Sequence, residues 1–229
     1  MIRKRQAMED DGMGRMKWIL GIFLISAVLC GCGENGEGQG AGPEEANVPA
    51  GAGAEIEVLK DGSIVETITE EFAKEYYDAE NLEDMLMAEV EDFNRNLSGG
   101  SVTVEAFESA DGKLTVEMKY PSPEAYSAYN TDTYNHKTLF VGTIVQAKEA
   151  GYTFDVPLTD AKGEKTIGED EILGMESSKI VIAESPSQLK IPGKILYIGE
   201  NVEALGKNKA AMRPDENGNS LGKYYVVYK

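Results

Sequence analysis

The sequence predicts an α+β fold: a single domain on a mainly antiparallel sheet, with one long amphipathic helix. Three observations carry this. Two Asp-Gly pairs, Asp61-Gly62 and Asp111-Gly112, each stand between stretches rich in β-branched residues, the signature of hairpins. Between them, Leu82, Leu86, Val90, Phe93 and Leu97 recur on one helical face. After them, short apolar runs alternate without the regular β-α-β rhythm of a parallel sheet.

In chain order, the first element is an export segment. Lys17 precedes the apolar run from Trp18 to Leu29, which is shorter than the ~20 helical residues that cross a bilayer core. Its end, Leu29-Cys30-Gly31-Cys32, resembles the bacterial lipobox. The resemblance implies cleavage behind Gly31 and a diacylglyceryl thioether on Cys32; two acyl chains hold a protein on a membrane where one chain does so only marginally. An ordinary secretory signal or an uncleaved anchor is the alternative. Arg3, Lys4, Arg5, Arg15 and Lys17 suit a basic leader, whereas Glu9, Asp10 and Asp11 do not, which leaves Met1, Met13 and Met16 as candidate starts. Residues 1–31 are thus expected to be a lipoprotein signal peptide and 32–55 an anchor and tether. From Gly33 on, glycines interleave with glutamates without a hydrophobic period, so no fold is expected there, and a Gly-rich coil of this length spans ~26 Å.

Residues 56–229 have globular composition and the size of one α+β domain. Ile56 to Lys60 and Ser63 to Ile68 form the first expected hairpin, Val102 to Phe107 and Leu114 to Tyr120 the second. In the latter, Leu114, Val116 and Met118 alternate with Thr115, Glu117 and Lys119, so one face is buried and the other wet. The helix between them starts at an Asp78 cap and ends at Gly99-Gly100. Further on, strands are expected at 138–141, 180–183, 195–198 and 224–228, helices at 145–150 and 169–173, and a polar loop over 206–222.

Charge narrows the partners. The chain carries 22 Lys and Arg against 40 Asp and Glu, a net charge of −18; cleavage behind Gly31 would leave 17 against 37, or −20. Such a surface repels phosphate backbones and anionic lipid headgroups, so nucleic acid is excluded as a partner and the membrane is to be reached through the lipid on Cys32. Cys30 and Cys32 are the only cysteines, so the domain is built without a disulfide, a thiolate nucleophile or a cysteine metal site.

The lipobox, the acidic tether, Ile68-Thr69-Glu70-Glu71-Phe72 leading to Tyr76-Tyr77-Asp78, Thr138-Leu139-Phe140-Val141-Gly142-Thr143 and Ile191-Pro192-Gly193-Lys194-Ile195-Leu196-Tyr197 together resemble uncharacterised lipoproteins of Gram-positive Clostridia. The resemblance implies the outer face of a single cytoplasmic membrane and brings no activity with it.

Catalytic motifs are sparse. His136 is the only histidine, and neither Gly163-Glu164-Lys165-Thr166 nor Gly193-Lys194-Ile195 has the frame of a phosphate-binding loop. Asn130-Thr131-Asp132-Thr133-Tyr134 and Asp215-Glu216-Asn217-Gly218-Asn219 alternate oxygen groups, but each misplaces or lacks the glycine of a calcium loop and reads better as an Asx turn. No catalytic residue, metal ligand or cofactor is assigned. The candidate recognition surface is Tyr120, Tyr126, Tyr129, Tyr134 and His136, where flat aromatic faces lie among amides and carboxylates and could grip a glycan or an extended peptide. The competing reading packs Tyr126 and Tyr129 on one face of a short helix after Pro123. The expected function is therefore a lipid-anchored extracytoplasmic binding or interaction module for an envelope glycan, a peptide or a membrane-protein partner. The alternative is an extracytoplasmic hydrolase that uses a carboxylate pair.

Overall fold

Both Asp-Gly signals form turns. Strands β1 (Ala54–Val58) and β2 (Ile64–Glu71) pair antiparallel around Gly62, whose φ of +89° disfavours any side chain. Asp61 closes that loop by accepting from the Ser63 N–H at 3.0 Å and the Ser63 hydroxyl at 2.6 Å. Strands β3 (Thr103–Ala110) and β4 (Lys113–Tyr120) leave only Asp111 and Gly112 between them, with φ of +52° and +72°. Two successive positive φ values match the right-handed twist of the flanking strands. The structure, a computed structural model, describes residues 53–74, 78–131, 137–216 and 219–229, all within the unit Gln39–Lys229.

Helix α1 (Ala79–Asn94) lies between the hairpins, its first turn capped by the Asp78 carboxylate, which accepts from the Asn81 N–H at 3.1 Å. It stops short of Gly99, at Asn94, whose side chain instead clamps both backbone groups of Val102 at 2.8 Å and so ties the helix end to the start of β3. Helix α2 (Pro123–Asn130) has Pro123 in its first turn, where no N–H is needed, and a Ser122 cap. It is followed by β5 (Leu139–Thr143), α3 (Ile144–Glu149), β6 (Leu158–Asp160), β7 (Thr166–Ile167) and α4 (Glu169–Leu173). The chain then runs through β8 (Lys179–Ala183), β9 (Gln188–Lys190), β10 (Ile195–Ile198), β11 (Val202–Ala204), β12 (Lys209–Met212) and β13 (Tyr224–Tyr228).

These strands make two sheets, in the orders β11-β12-β9-β1-β2-β4-β3 and β5-β8-β13-β10-β6-β7. Among these strands every pairing is antiparallel except β1 with β9. The α+β class and its mainly antiparallel sheets are thus present, but not as one sheet with one long helix. The described residues are sheet-rich, and α1 is one of four helices, with only Leu86 and Val90 buried. The expected polar loop at 206–222 also contains β12, whose Ala210, Ala211 and Met212 are buried. Pairing with β9 and β11 on its two sides, rather than the propensity of Ala-Ala-Met, makes that strand.

The sheets pack face to face. Ile56, Ile64, Met118 and Leu189 of the first meet Val181, Ala183, Tyr224 and Val226 of the second in one apolar cluster. On the far side of the second sheet, Ile180, Ile182, Tyr225 and Val227 pack with Ile144 and Ala147 of α3 and Ile172 of α4. Strands β8 and β13 are therefore covered on both faces, which explains their unbroken apolar runs. The outward face of the first sheet is polar and carries the pairs Lys190–Glu57 at 2.8 Å and Lys209–Glu55 at 3.5 Å. Among the described residues, no helix is long and apolar enough to cross a membrane.

Candidate functional site

On β2 the inward positions are 64, 66 and 68, flanked in register by Ile56 of β1 and Met118 of β4 at position 66. Alternation asks for an apolar residue there, and the chain has Glu66, only 1% exposed. Unpaired, a buried carboxylate costs several kcal/mol. Here three donors face it. The Tyr120 hydroxyl, from the end of β4, donates to Oε2 at 2.9 Å; the Tyr126 hydroxyl, from α2, donates to Oε1 at 3.4 Å; and Lys137 Nζ lies 3.7 Å from Oε1. Asn130 completes the network by donating to the Tyr120 hydroxyl at 3.3 Å and to the Tyr126 carbonyl at 3.1 Å.

Ring packing fixes the same groups. Tyr120 and Tyr126 meet edge to face with centroids 5.1 Å apart, and Tyr129 meets Phe93 of α1 in the same way at 5.1 Å. Burial first, and the charge of Glu66 second, push the Tyr120 and Tyr126 hydroxyls well above the ordinary phenol range, which keeps their protons available to the carboxylate. Tyr129 is raised by burial and by the nearby Glu89. Glu70, also on β2, is raised by partial burial, an effect that the positive charge of Lys137 opposes.

The arrangement holds three elements together: β2, the β4–α2 corner and the approach to β5. Glu66, Tyr120 and Tyr126 are almost wholly buried, so the network presents no open surface to a ligand. This corrects the expected recognition surface. Tyr120, Tyr126 and Tyr129 are 0%, 2% and 8% exposed and belong to the core between the sheets. Tyr120 continues the inward alternation of Leu114, Val116 and Met118, while Tyr126 and Tyr129, three residues apart, share the buried side of α2 with Ala125. Tyr134 and His136 lie outside the described residues, as does Cys32.

Asp132, Thr133 and Tyr134 of the first oxygen-rich loop also lie outside the described residues. In the second loop Asn217 and Gly218 lie outside the described residues, and the Asp215 carboxylate accepts from the Asn219 N–H at 2.7 Å and the Asn219 amide at 3.2 Å, so its oxygens are already engaged. Among the described residues no group of three or more His, Cys, Asp or Glu could hold a metal ion.

Sequence reasoning missed Glu66 and Lys137. The signal for Glu66 was present, a glutamate in the inward phase between Ile64 and Ile68, whereas neither period nor turn chemistry points Lys137 toward it. Compared with protein-family models, curated proteins and solved structures, the chain matches none.

Proposed function

We propose that this chain is a lipid-anchored protein of the extracytoplasmic membrane face, and that its sheet domain is a binding or interaction module for an envelope glycan, a peptide or a membrane-protein partner. The observation that carries this is the run Trp18 to Leu29 ending in Leu29-Cys30-Gly31-Cys32 and followed by an acidic glycine-rich stretch. A tether of that composition lets a domain search the space above the lipid. The buried network around Glu66 supports a structural use of the domain's interior, which leaves recognition to its surface. The hydrolase alternative needs a second acid opposite the first; the groups that meet the Glu66 carboxylate are two tyrosines and a lysine.

The test combines fatty-acid labelling with chemical crosslinking in intact cells, for the natural chain and for Cys32→Ala. The natural chain is expected to carry labelled lipid, to stay with membranes and to crosslink to a reproducible envelope partner; Cys32→Ala is expected to lose all three. Lipid label on Cys32→Ala overturns the anchor. A labelled, membrane-bound natural chain that forms no adduct overturns the interaction module.

A further inference from the structure

An open sheet ends in strands whose outward N–H and C=O groups invite another strand, and proteins guard such edges. The two sheets here have four edges, and three are short or guarded. Strand β11 has three residues and β7 two. Strand β5 is stopped by side chains: the Leu139 N–H donates to Ser127 Oγ at 2.9 Å, the Leu139 carbonyl accepts from the same hydroxyl at 3.3 Å, and the Thr143 N–H donates to Gln146 Oε1 at 2.8 Å.

The fourth edge is different. Strand β3 is eight residues long and, among the described residues, pairs only with β4. The two-residue turn makes Ala110 and Lys113 a hydrogen-bonded pair, so Glu108 faces Thr115 in the same manner and the intervening Phe107 and Ser109 turn their N–H and C=O away from β4. Among the described residues no hydrogen bond reaches those outward groups. A register shift between Val104 and Ala106 places the extra residue, Glu105, at the far end and leaves Ala106 to Ala110 regular.

Charge says which strand fits. Glu105 and Glu108 are exposed, Glu108 makes no hydrogen bond or ion pair among the described residues, and Glu117 lies opposite Ala106 one strand in. Lys119 and Lys113 stand opposite Thr103 and Ala110, at the two ends, so acid occupies the middle of the edge. A second copy of β3 would set glutamates near glutamates, and the whole chain is at −18. A cationic strand would meet opposite charge.

We propose that the β3 edge is a docking site for an extended segment of a partner protein that bears Lys or Arg at alternate positions, added to the first sheet as an eighth strand. This rests on the interaction-module reading above and names the partner's chemistry. The outward groups of Phe107 and Ser109 bond the incoming backbone, and its cationic side chains lie over Glu105 and Glu108.

The test is hydrogen–deuterium exchange on the full chain in nonionic detergent, with a blocked octapeptide alternating lysine and threonine, and a matching glutamate–threonine peptide. At ten times its dissociation constant, the lysine peptide is expected to slow exchange in residues 103–110 about tenfold. The effect should shrink with added salt, and the glutamate peptide should give none. Ser109→Pro removes an outward N–H without touching the bonds to β4, so it should abolish the protection at unchanged melting temperature. Should Ser109→Pro unfold the chain, Glu105→Gln with Glu108→Gln decides instead, by an expected loss of most of the binding and its salt dependence. No slowing by the lysine peptide, equal slowing by the glutamate peptide, or undiminished slowing in the variant that decides overturns the β3 site. Envelope adducts that map elsewhere on the domain would leave the interaction module standing while this site falls.

Discussion

Among the described residues Glu66 is the one charged side chain that is buried. Its carboxylate sits where an apolar side chain would pack, and it is tolerated because Tyr120 and Tyr126 aim their hydroxyls at it and Lys137 adds charge. A donor set of this kind is all or nothing: each hydrogen bond to a buried charge is worth about 1.5–3 kcal/mol, and removing donors leaves the charge behind. Tyr120→Phe combined with Tyr126→Phe is therefore expected to lower unfolding free energy by about 3 kcal/mol or more. Adding Glu66→Met to that pair should restore most of the loss, since an apolar group of similar volume no longer needs donors and Lys137, which is 27% exposed, can turn to water. Urea titration of the three chains checks this, with equal slopes required for the comparison. A double variant as stable as the natural chain would mean that the network carries no weight, and a triple variant no better than the double would mean that shape, not charge, sets the cost.

At the scale of elements, what the sequence made legible follows from period and turn chemistry. The β1–β2 and β3–β4 hairpins combine alternation with Asp-Gly, and α4 falls over the expected residues 169–173. Strands β6, β7, β9 and β11, of two or three residues each, are too short to show a period, and β12 exists through its neighbours. The tyrosine stretch differs from its composition for another reason: mixed aromatic and polar residues resemble a surface, while strand phase turns Tyr120 inward with Leu114, Val116 and Met118. The two hairpin glycines offer a graded check. A Cβ on Gly62 would meet nothing within 4 Å, whereas one on Gly112 would approach the Ala73 Cβ to 3.2 Å, and both residues have positive φ. Gly62→Ala should cost about 1 kcal/mol from backbone conformation alone, and Gly112→Ala about 2 kcal/mol or more. Equal losses would show that Ala73 yields freely, and that the β2 end is softer than its contact with the β3–β4 turn implies.

For the whole molecule, excess acid works against pairing. Exposed pairs such as Arg95–Asp92 at 2.7 Å, Lys165–Glu171 at 2.9 Å and Arg213–Glu203 at 2.6 Å engage a few of the basic residues, and pairs of this kind contribute ~0–1 kcal/mol each. Against them stands a net charge of −18, whose self-repulsion disfavours any compact state. Salt acts on both terms, weakening the pairs and the repulsion together, but the pairs are local and few while the repulsion is summed over the surface. Raising sodium chloride from ~10 mM to ~0.3 M shortens the screening length from roughly 30 Å to below 8 Å, so most distant repulsion vanishes. The melting temperature of the full chain in nonionic detergent should therefore rise by about 2–4 °C for each kcal/mol of repulsion removed. A flat or falling melting temperature would place the ion pairs above the repulsion and would make the glutamates of the polar sheet face structural partners. A rise would show that repulsion among surface carboxylates, Glu108 among them, outweighs their pairing, the condition under which a cationic strand gains most by docking.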